Sequence, residues 1–553
     1  MKLKIFSILV SITAVFTFTS CNDWLDVKPE GNVNESTFWQ SDDDYAKSTI
    51  ALYQVLKKES TWGRDLFWEQ GATDDIFFSR TRGNSQMNLA DLRMDGNTEG
   101  SIKSIYSEMY STMAMANNII NHVLKMENRS AIVDRTLGEA YFMRAFTHFM
   151  IAYRYGTPTN GVPFDRYEDY DPYITKIPEQ RATVMDNYEL IIEDLDKANE
   201  HLNWFTTYAP GDYGRATKDA AIALKVKVLA YWAEYDAAKW TQIPSLVDQL
   251  ENEGGRGLLD HFADVFKIEN EWGKEFIWSI NSDGSSNAGC ILPSMFLDNK
   301  GWGRYNGWGN FKPTLELWAE YDEQDARRSA TIMQYGDPFV FFGENRTFYS
   351  SADLECGFHF AKYMEPFTYG SVDPVSGAGI SDKLCPNGDY PVTDLNVPLI
   401  RFAEMLLFKA EALIETGEGT QAAQVLNRLT TRAGLGTVYT NATIEDLMHE
   451  RRCELAGEYT DRLMDLERWA TKYPAVIKHI ETAKHGLKYL NRSDAASNLD
   501  TINGTEMTIN GKLYKGVIEI MAAKKYSTKY RVLPYEPNEI IRSNNTMKQN
   551  EGY

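Results

Sequence analysis

Apolar positions recur every three or four residues through both ends of the chain and lose that rhythm in the middle. Ser41-Asp42-Asp43-Asp44 has the make-up of a helix N-cap, and Ala46, Thr49, Ile50, Tyr53 and Leu56 follow on one helical face. The same period predicts helices over Ile102 to Lys125, Arg135 to Tyr155, Val184 to Leu202 and Thr217 to Lys239. The helix over Arg135 to Tyr155 stops at Gly156-Thr157-Pro158, a normal helix exit. Helical spacing returns at Pro398 to Gly417, Gln421 to Ala433 and Ile444 to Tyr473. Alanine and aromatic contacts along these helices suggest tetratricopeptide-like packing, although no clean 34-residue repeat can be read.

From about Asp260 to Leu395, Gly, Pro, Asn and Asp punctuate short apolar runs such as Phe276-Ile277-Trp278-Ser279-Ile280, which predicts an irregular, loop-rich insertion. A helical scaffold at about 41–240 and 398–475 therefore encloses an insertion at about 260–395. Beyond Thr482 the chain is polar and turn-rich. A small hairpin is expected at Met507 to Tyr514, where Asn510-Gly511 supplies the turn.

The first residues follow a different logic. Lys2 and Lys4 precede an apolar run from Ile5 to Phe18, which is of signal-peptide length and too short to span a bilayer. Phe18-Thr19-Ser20-Cys21 has the form of a lipobox, so residues 1–20 are expected to be removed and Cys21 acylated. The mature chain, 21–553, is then a single body tethered to membrane lipid, since several acyl chains are needed for a stable anchor.

The full chain has 78 Asp and Glu against 57 Lys and Arg, a formal charge of −21, and loss of Lys2 and Lys4 makes the mature form more acidic still. Such a surface repels nucleic acid and favours neutral ligands. Of the remaining cysteines, Cys453 occupies a helical apolar position and is expected as a buried free thiol. Cys356 and Cys385 are disulfide candidates in loop-like sequence, and the state of Cys290 is left open. No CxxC motif occurs.

Catalytic signatures are missing: there is no GxSxG, HExxH, Walker A or strand-linked GxGxxG. Asp74-Asp75 is an acid pair of the kind a glycosidase needs, but acid pairs are common in so acidic a chain. No motif calls for a cofactor, and a structural calcium is not indicated. The strongest binding signal is Gly301-Trp302-Gly303-Arg304-Tyr305-Asn306-Gly307-Trp308-Gly309, where bulky rings alternate with glycines. Trp302, Tyr305 and Trp308 offer faces for sugar C–H groups, and Asn306 and Arg304 offer polar partners. The competing role is structural, with Trp302 and Trp308 pinning a long loop. A second candidate surface is the long connection from Trp62 to Gly100, with Asp74, Phe77, Phe78 and Arg80 as contacts and Trp68 assigned to the core.

Several blocks then carry a resemblance. Pro398 to Ala412 (PLIRFAEMLLFKAEA) resembles the signature helix of SusD/RagB-like outer-membrane nutrient-binding lipoproteins. Leu426-Asn427-Arg428, Thr431 to Leu435, Glu450 to Glu458 and Asp465 to Trp469 follow in that family's order. Cys21 to Pro29, Gly138 to Phe146, Gly214 to Lys218 and Leu533 to Tyr553 also resemble it. Small departures, Met405, Phe408 and Cys453, leave the likeness intact.

The resemblance implies a mostly α fold with four tetratricopeptide-like helix pairs as scaffold and irregular loops as the ligand face. It also implies a cell-surface role: a lid on a SusC-like TonB-dependent transporter, capturing oligosaccharide, or in some members peptide, without catalysis. In the family the connection after the first helix and the middle insertion share the glycan site, and Thr73-Asp74-Asp75 matches its acidic motif. The expectation is therefore a non-enzymatic glycan-binding lipoprotein of the outer membrane. A peptide binder of the same architecture is the alternative, and a surface glycoside hydrolase the more remote one.

Overall fold

Ser41 caps the first helix, α1 (Asp42–Tyr53), with both halves of a capping box: its hydroxyl accepts from Asp44 N and its own N–H donates to the Asp44 carboxylate. The structure, a computed structural model, describes residues 38–79, 84–95, 100–164, 166, 179–282, 290–297, 309–341, 344–348, 356–365, 395–487 and 505–553. Helices dominate them. α2 (Ser101–Leu124), α3 (Ala131–Tyr155), α4 (Val184–His201), α5 (Lys218–Trp232) and α6 (Ile243–Asn252) form the first group. α7 (Phe402–Glu415), α8 (Gly419–Arg432), α9 (Ile444–Leu455) and α10 (Arg462–Ala470) form the second.

Consecutive helices pack on one another, α2 on α3, α3 on α4, α4 on α5 and α7 on α8. α3 lies at the centre, with every residue from Thr136 to Tyr155 buried. A helix enclosed on all sides must satisfy its polar groups internally. Arg144 does so by donating from Nη2 to Asp194 of α4 (2.6 Å) and from Nη1 to Asn117 of α2 (2.6 Å).

Short antiparallel ladders stitch the two helical groups together. β1 (Ile76–Phe78), β2 (Phe276–Ile280), β3 (Phe311–Pro313), β4 (Val397–Arg401), β5 (Lys484–Leu487), β6 (Thr505–Ile509) and β7 (Lys512–Met521) pair as β1 with β3, β2 with β4, and β6-β7-β5. Trp278 of β2 meets Phe142 of α3 edge-on, with ring centroids 4.8 Å apart, which fixes this ladder against the central helix.

Three expectations need correction. Pro398 to Arg401 is strand, because the segment Val397–Arg401, buried throughout, finds a partner in β2, with Ser279 opposite Pro398 and Phe276 opposite Arg401; the helix begins only at Phe402. The helix expected to run from Ile444 to Tyr473 breaks after Leu455, where Gly457 (φ 80°) and Asp461 (φ 52°) take left-handed conformations. Asp461 tolerates its conformation because its carboxylate receives Arg154 (2.8 Å) and Lys227 (3.1 Å). The helix expected to reach Lys239 ends at Trp232, and α6 follows after a 3-10 turn. The hairpin forms as read, with Asn510 (φ 49°) and Gly511 (φ 76°) in the turn.

Cys453 is fully buried and free, as its helical position predicts. Cys290 is also a buried free thiol, its pKa pushed up to about 11 by burial. Cys356 is buried against the carbonyls of Pro313 and Phe358, while Cys385, its expected partner, lies outside the described residues.

Candidate functional site

The two candidate surfaces, more than two hundred residues apart in sequence, grow from one ladder. β1 and β3 pair with Ile76 opposite Pro313, Phe77 opposite Lys312 and Phe78 opposite Phe311. Ser79 extends the pairing: its N–H donates to Asn310 O (3.1 Å) and its hydroxyl to Gly309 O. Ser79 and Gly309, the described residues next in sequence to Arg80 and Trp308, therefore lie side by side. Arg80, Trp302, Tyr305, Asn306 and Trp308 themselves lie outside the described residues, as does Cys21.

The base of this ladder is aromatic. Trp68 and Phe78 pack with centroids 4.2 Å apart, and Phe311 lies 5.4 Å from Trp68 and 5.6 Å from Phe78. Phe67 and Phe296 complete the cluster on Phe311, at 4.7 and 5.7 Å. Gly71 is required beneath it, since a Cβ there would fall 2.0 Å from Phe78 Cε2. Lys484 of β5 reaches under β1 and donates to the carbonyls of Gly71 and Ile76. Burial pushes that ammonium well below the usual lysine range.

Phe77 and Phe78 are thus corrected from ligand contacts to foundations: they are 0% and 6% exposed, because β1 is buried along its whole length against β3 and the 3-10 segment Asp65–Ala72. Trp68 is core, as expected, at 0%. Asp74 is likewise corrected. It is buried and shared among two arginines and a histidine, with Arg462 Nη2 at 2.9 Å, Arg452 Nη2 at 3.0 Å and His479 Nδ1 at 2.6 Å. Asp75 receives the Nε atoms of the same two arginines, at 2.7 and 3.0 Å. Burial opposes the charge on Asp74, but Arg452, Arg462 and His479 together hold its carboxyl well below the usual range. Such a group is neither a free ligand contact nor a general acid, which needs a raised pKa.

The sequence reading missed this ion cluster, although its signal was present. Glu450-Arg451-Arg452-Cys453-Glu454 packs four charges into five residues of a helix, in its buried C-terminal half. Charges in such a place must find partners from other elements. Arg452 finds Glu320 as well, at 2.8 Å. Burial works against ionisation of Glu320, but Arg452 and His449 outweigh it and hold its carboxyl down to about 2.

Among the described residues, no group of His, Cys, Asp and Glu could hold a metal ion. None of their helices is long and apolar enough to cross a membrane.

Comparison with known proteins agrees across the chain. A family model described as "SusD family" matches residues 274–553, and one described as "Starch-binding associating with outer membrane" matches residues 23–229. A SusD-like protein of Formosa agariphila is 25% identical over 517 residues, covering 84% of this chain and 90% of that one. The crystal structure of a SusD-like protein from Bacteroides fragilis superposes with a TM-score of 0.73 at 21% identity, covering 94% of this chain and 99% of that one. The surface glycan-binding protein A of Bacteroides fluxus gives 0.69 at 22% identity, with 93% and 100% covered.

Proposed function

The chain belongs to the SusD family, and from that premise we propose that it is a glycan-binding lipoprotein, anchored at the outer membrane through acylated Cys21. It captures neutral oligosaccharide on the loops that follow Ser79 and precede Gly309, and presents it to a SusC-like TonB-dependent transporter. The observation that supports this reading is the β1–β3 ladder, which brings Ser79 beside Asn310 and Gly309, the described residues next in sequence to Arg80 and to the aromatic, glycine-rich segment 301–308.

Several things support it. A structural neighbour bears the name of a surface glycan-binding protein. The other matching family model is described as starch-binding and associated with the outer membrane. The acidic chain suits a neutral ligand, and the acid pair Asp74-Asp75 is committed to arginines rather than poised for hydrolysis. The protein therefore binds without turning its ligand over.

A ring that loses a third of its surface to a sugar contributes on the order of 1–2 kcal/mol. Trp302, Tyr305 and Trp308 would then give roughly millimolar affinity before hydrogen bonds are added. Weak, fast binding suits a capture step, with retention supplied when the transporter encloses the ligand.

The reading is tested by affinity electrophoresis in gels containing soluble starch, laminarin or other neutral polysaccharides, with calorimetry on the glycan that retards the protein. Trp302→Ala or Trp308→Ala should weaken binding five- to thirtyfold and leave the melting temperature unchanged. A lowered melting temperature with normal affinity would make both tryptophans loop anchors and move the ligand face away from them. Release of reducing ends by the purified protein would replace the binding role with a hydrolase.

A further inference from the structure

We propose that the cleft between α9, α10, the helix Leu315–Glu320 and the β6–β7 hairpin is a second saccharide site, distinct from the loops rooted at Ser79 and Gly309. Its volume is about 870 Å³, within the roughly 300–1,000 Å³ of small-molecule sites. It has room for a short oligosaccharide. The glycan reading above contributes only the choice of probes; the ligand class follows from the cleft itself.

Charge comes first. The lining carries as many Lys and Arg as Asp and Glu. Its two arginines are already matched: Arg452 to Glu320, Asp74 and Asp75, and Arg462 to Asp74 and Asp75. The formal charges of the lining balance and its arginines are already paired, so a neutral ligand is favoured. These ion pairs also hold the floor rigid, which lowers the ordering cost of binding.

The walls select among neutral ligands. Tyr439 and Tyr473 line the cleft half-buried, and each has its hydroxyl committed, Tyr439 donating to Glu450 (2.9 Å) and Tyr473 to Glu415 (2.8 Å). What remains for a ligand is ring carbon, the surface on which sugar C–H groups pack. Polar partners stand beside it. Asn510, at the hairpin turn, uses Nδ2 on Ala319 O and Glu320 Oε2 (both 3.3 Å), leaving Oδ1 as an acceptor without a protein partner among the described residues. His479 spends Nδ1 on Asp74 and keeps Nε2. Ring faces with a few oriented polar atoms in a charge-balanced cleft fit a saccharide better than a lipid or an ion.

The two sites share a structural link. Asp74, on the floor of the cleft's ion cluster, and Ser79, at the root of the loop face, are five residues apart on one segment. They are thus separated by no more than about 17 Å of extended chain. A polymer held in the cleft would keep its neighbouring units at high local concentration near the loops, raising avidity without tighter contacts at either site.

The test is calorimetric titration of the full mature chain with maltohexaose, laminarihexaose, cellohexaose and mannohexaose. At least one should saturate at two per chain. Val438→Trp, placed at a lining residue 51% exposed, should fill the cleft, reduce the stoichiometry to one and leave the melting temperature unchanged. Tyr473→Ala, a second route to the same site, should weaken that binding at least fivefold. Trp302→Ala with Trp308→Ala should remove the other site and spare this one. Loss of all binding in Val438→Trp, with none lost in the loop variant, would uphold the cleft and sink the loop reading. Single-site binding that Val438→Trp and Tyr473→Ala leave untouched would overturn the proposal while sparing the loop reading. Cleft binding by peptides and by none of the four sugars would overturn it too.

Discussion

Arg401 Nη1 lies 2.6 Å from Glu454 Oε1, with both side chains essentially sealed from solvent. The pair joins the two sequence blocks that carry the family resemblance most strongly, the start of α7 and the end of α9. Glu454 is also reached by Arg432, and by Arg327 Nη1 at 3.4 Å. Arg401 also engages Glu458 (2.7 Å) and Glu275 (2.9 Å). Arg401 and Glu454 therefore build the scaffold and do not line the proposed cleft.

Glu454→Gln should be severely destabilising. Burial opposes the Glu454 charge, but Arg432, Arg401 and Arg327 hold its carboxyl far below the usual range. Removing it strands buried guanidinium charge, at a cost of about 3–5 kcal/mol. Urea denaturation measures this, and a double-mutant cycle with Arg401→Met should return a coupling above about 1 kcal/mol. Additive effects would contradict the network.

Glu467 predicts a pH dependence of the opposite kind to an ordinary ion pair. It is buried, and burial raises its carboxyl to about 8 against the ordinary 4.5, despite Arg531 and a hydrogen bond from Tyr526. The folded state then holds a proton that the unfolded state releases above 4.5, so this group's contribution to stability declines as pH rises from there to about 8. The slope approaches about 1.4 kcal/mol per pH unit. Glu467→Gln should abolish it, and urea midpoints of both proteins at pH 5 and pH 8 would reveal the difference. Parallel midpoints would refute it.

Gly71→Ala should disturb the root of the loop face. The added methyl collides with the Phe78 ring, and overpacking of this kind costs about 1–3 kcal/mol. The melting temperature should fall, and affinity for the bound glycan should fall with it, because Phe78 pairs with Phe311 in the ladder next in sequence to both proposed ligand segments. An unchanged melting temperature would show that the ring relaxes freely.

Cys21→Ala should move the protein from the membrane fraction to the soluble fraction of cells lacking the transporter, since a diacylated or triacylated cysteine supplies the anchoring energy. Membrane retention of that variant in such cells would contradict the proposed anchor.

The sequence by itself determined the helices whose apolar stripes keep a 3.6-residue period and whose caps are local, such as α1 behind Ser41 and α4 behind Thr183. It also determined the Asn510-Gly511 hairpin, whose turn chemistry is complete within four residues. Tertiary structure decided the rest. Val397–Arg401 is strand because β2, more than a hundred residues earlier, offers a ladder that periodicity cannot register. Phe77, Phe78 and Asp74 look like exposed loop chemistry in sequence, yet pairing with β3 buries the rings and Arg452, Arg462 and His479 enclose the acid. Burial and charge pairing are properties of neighbours brought together by folding, and no local pattern of residues contains them.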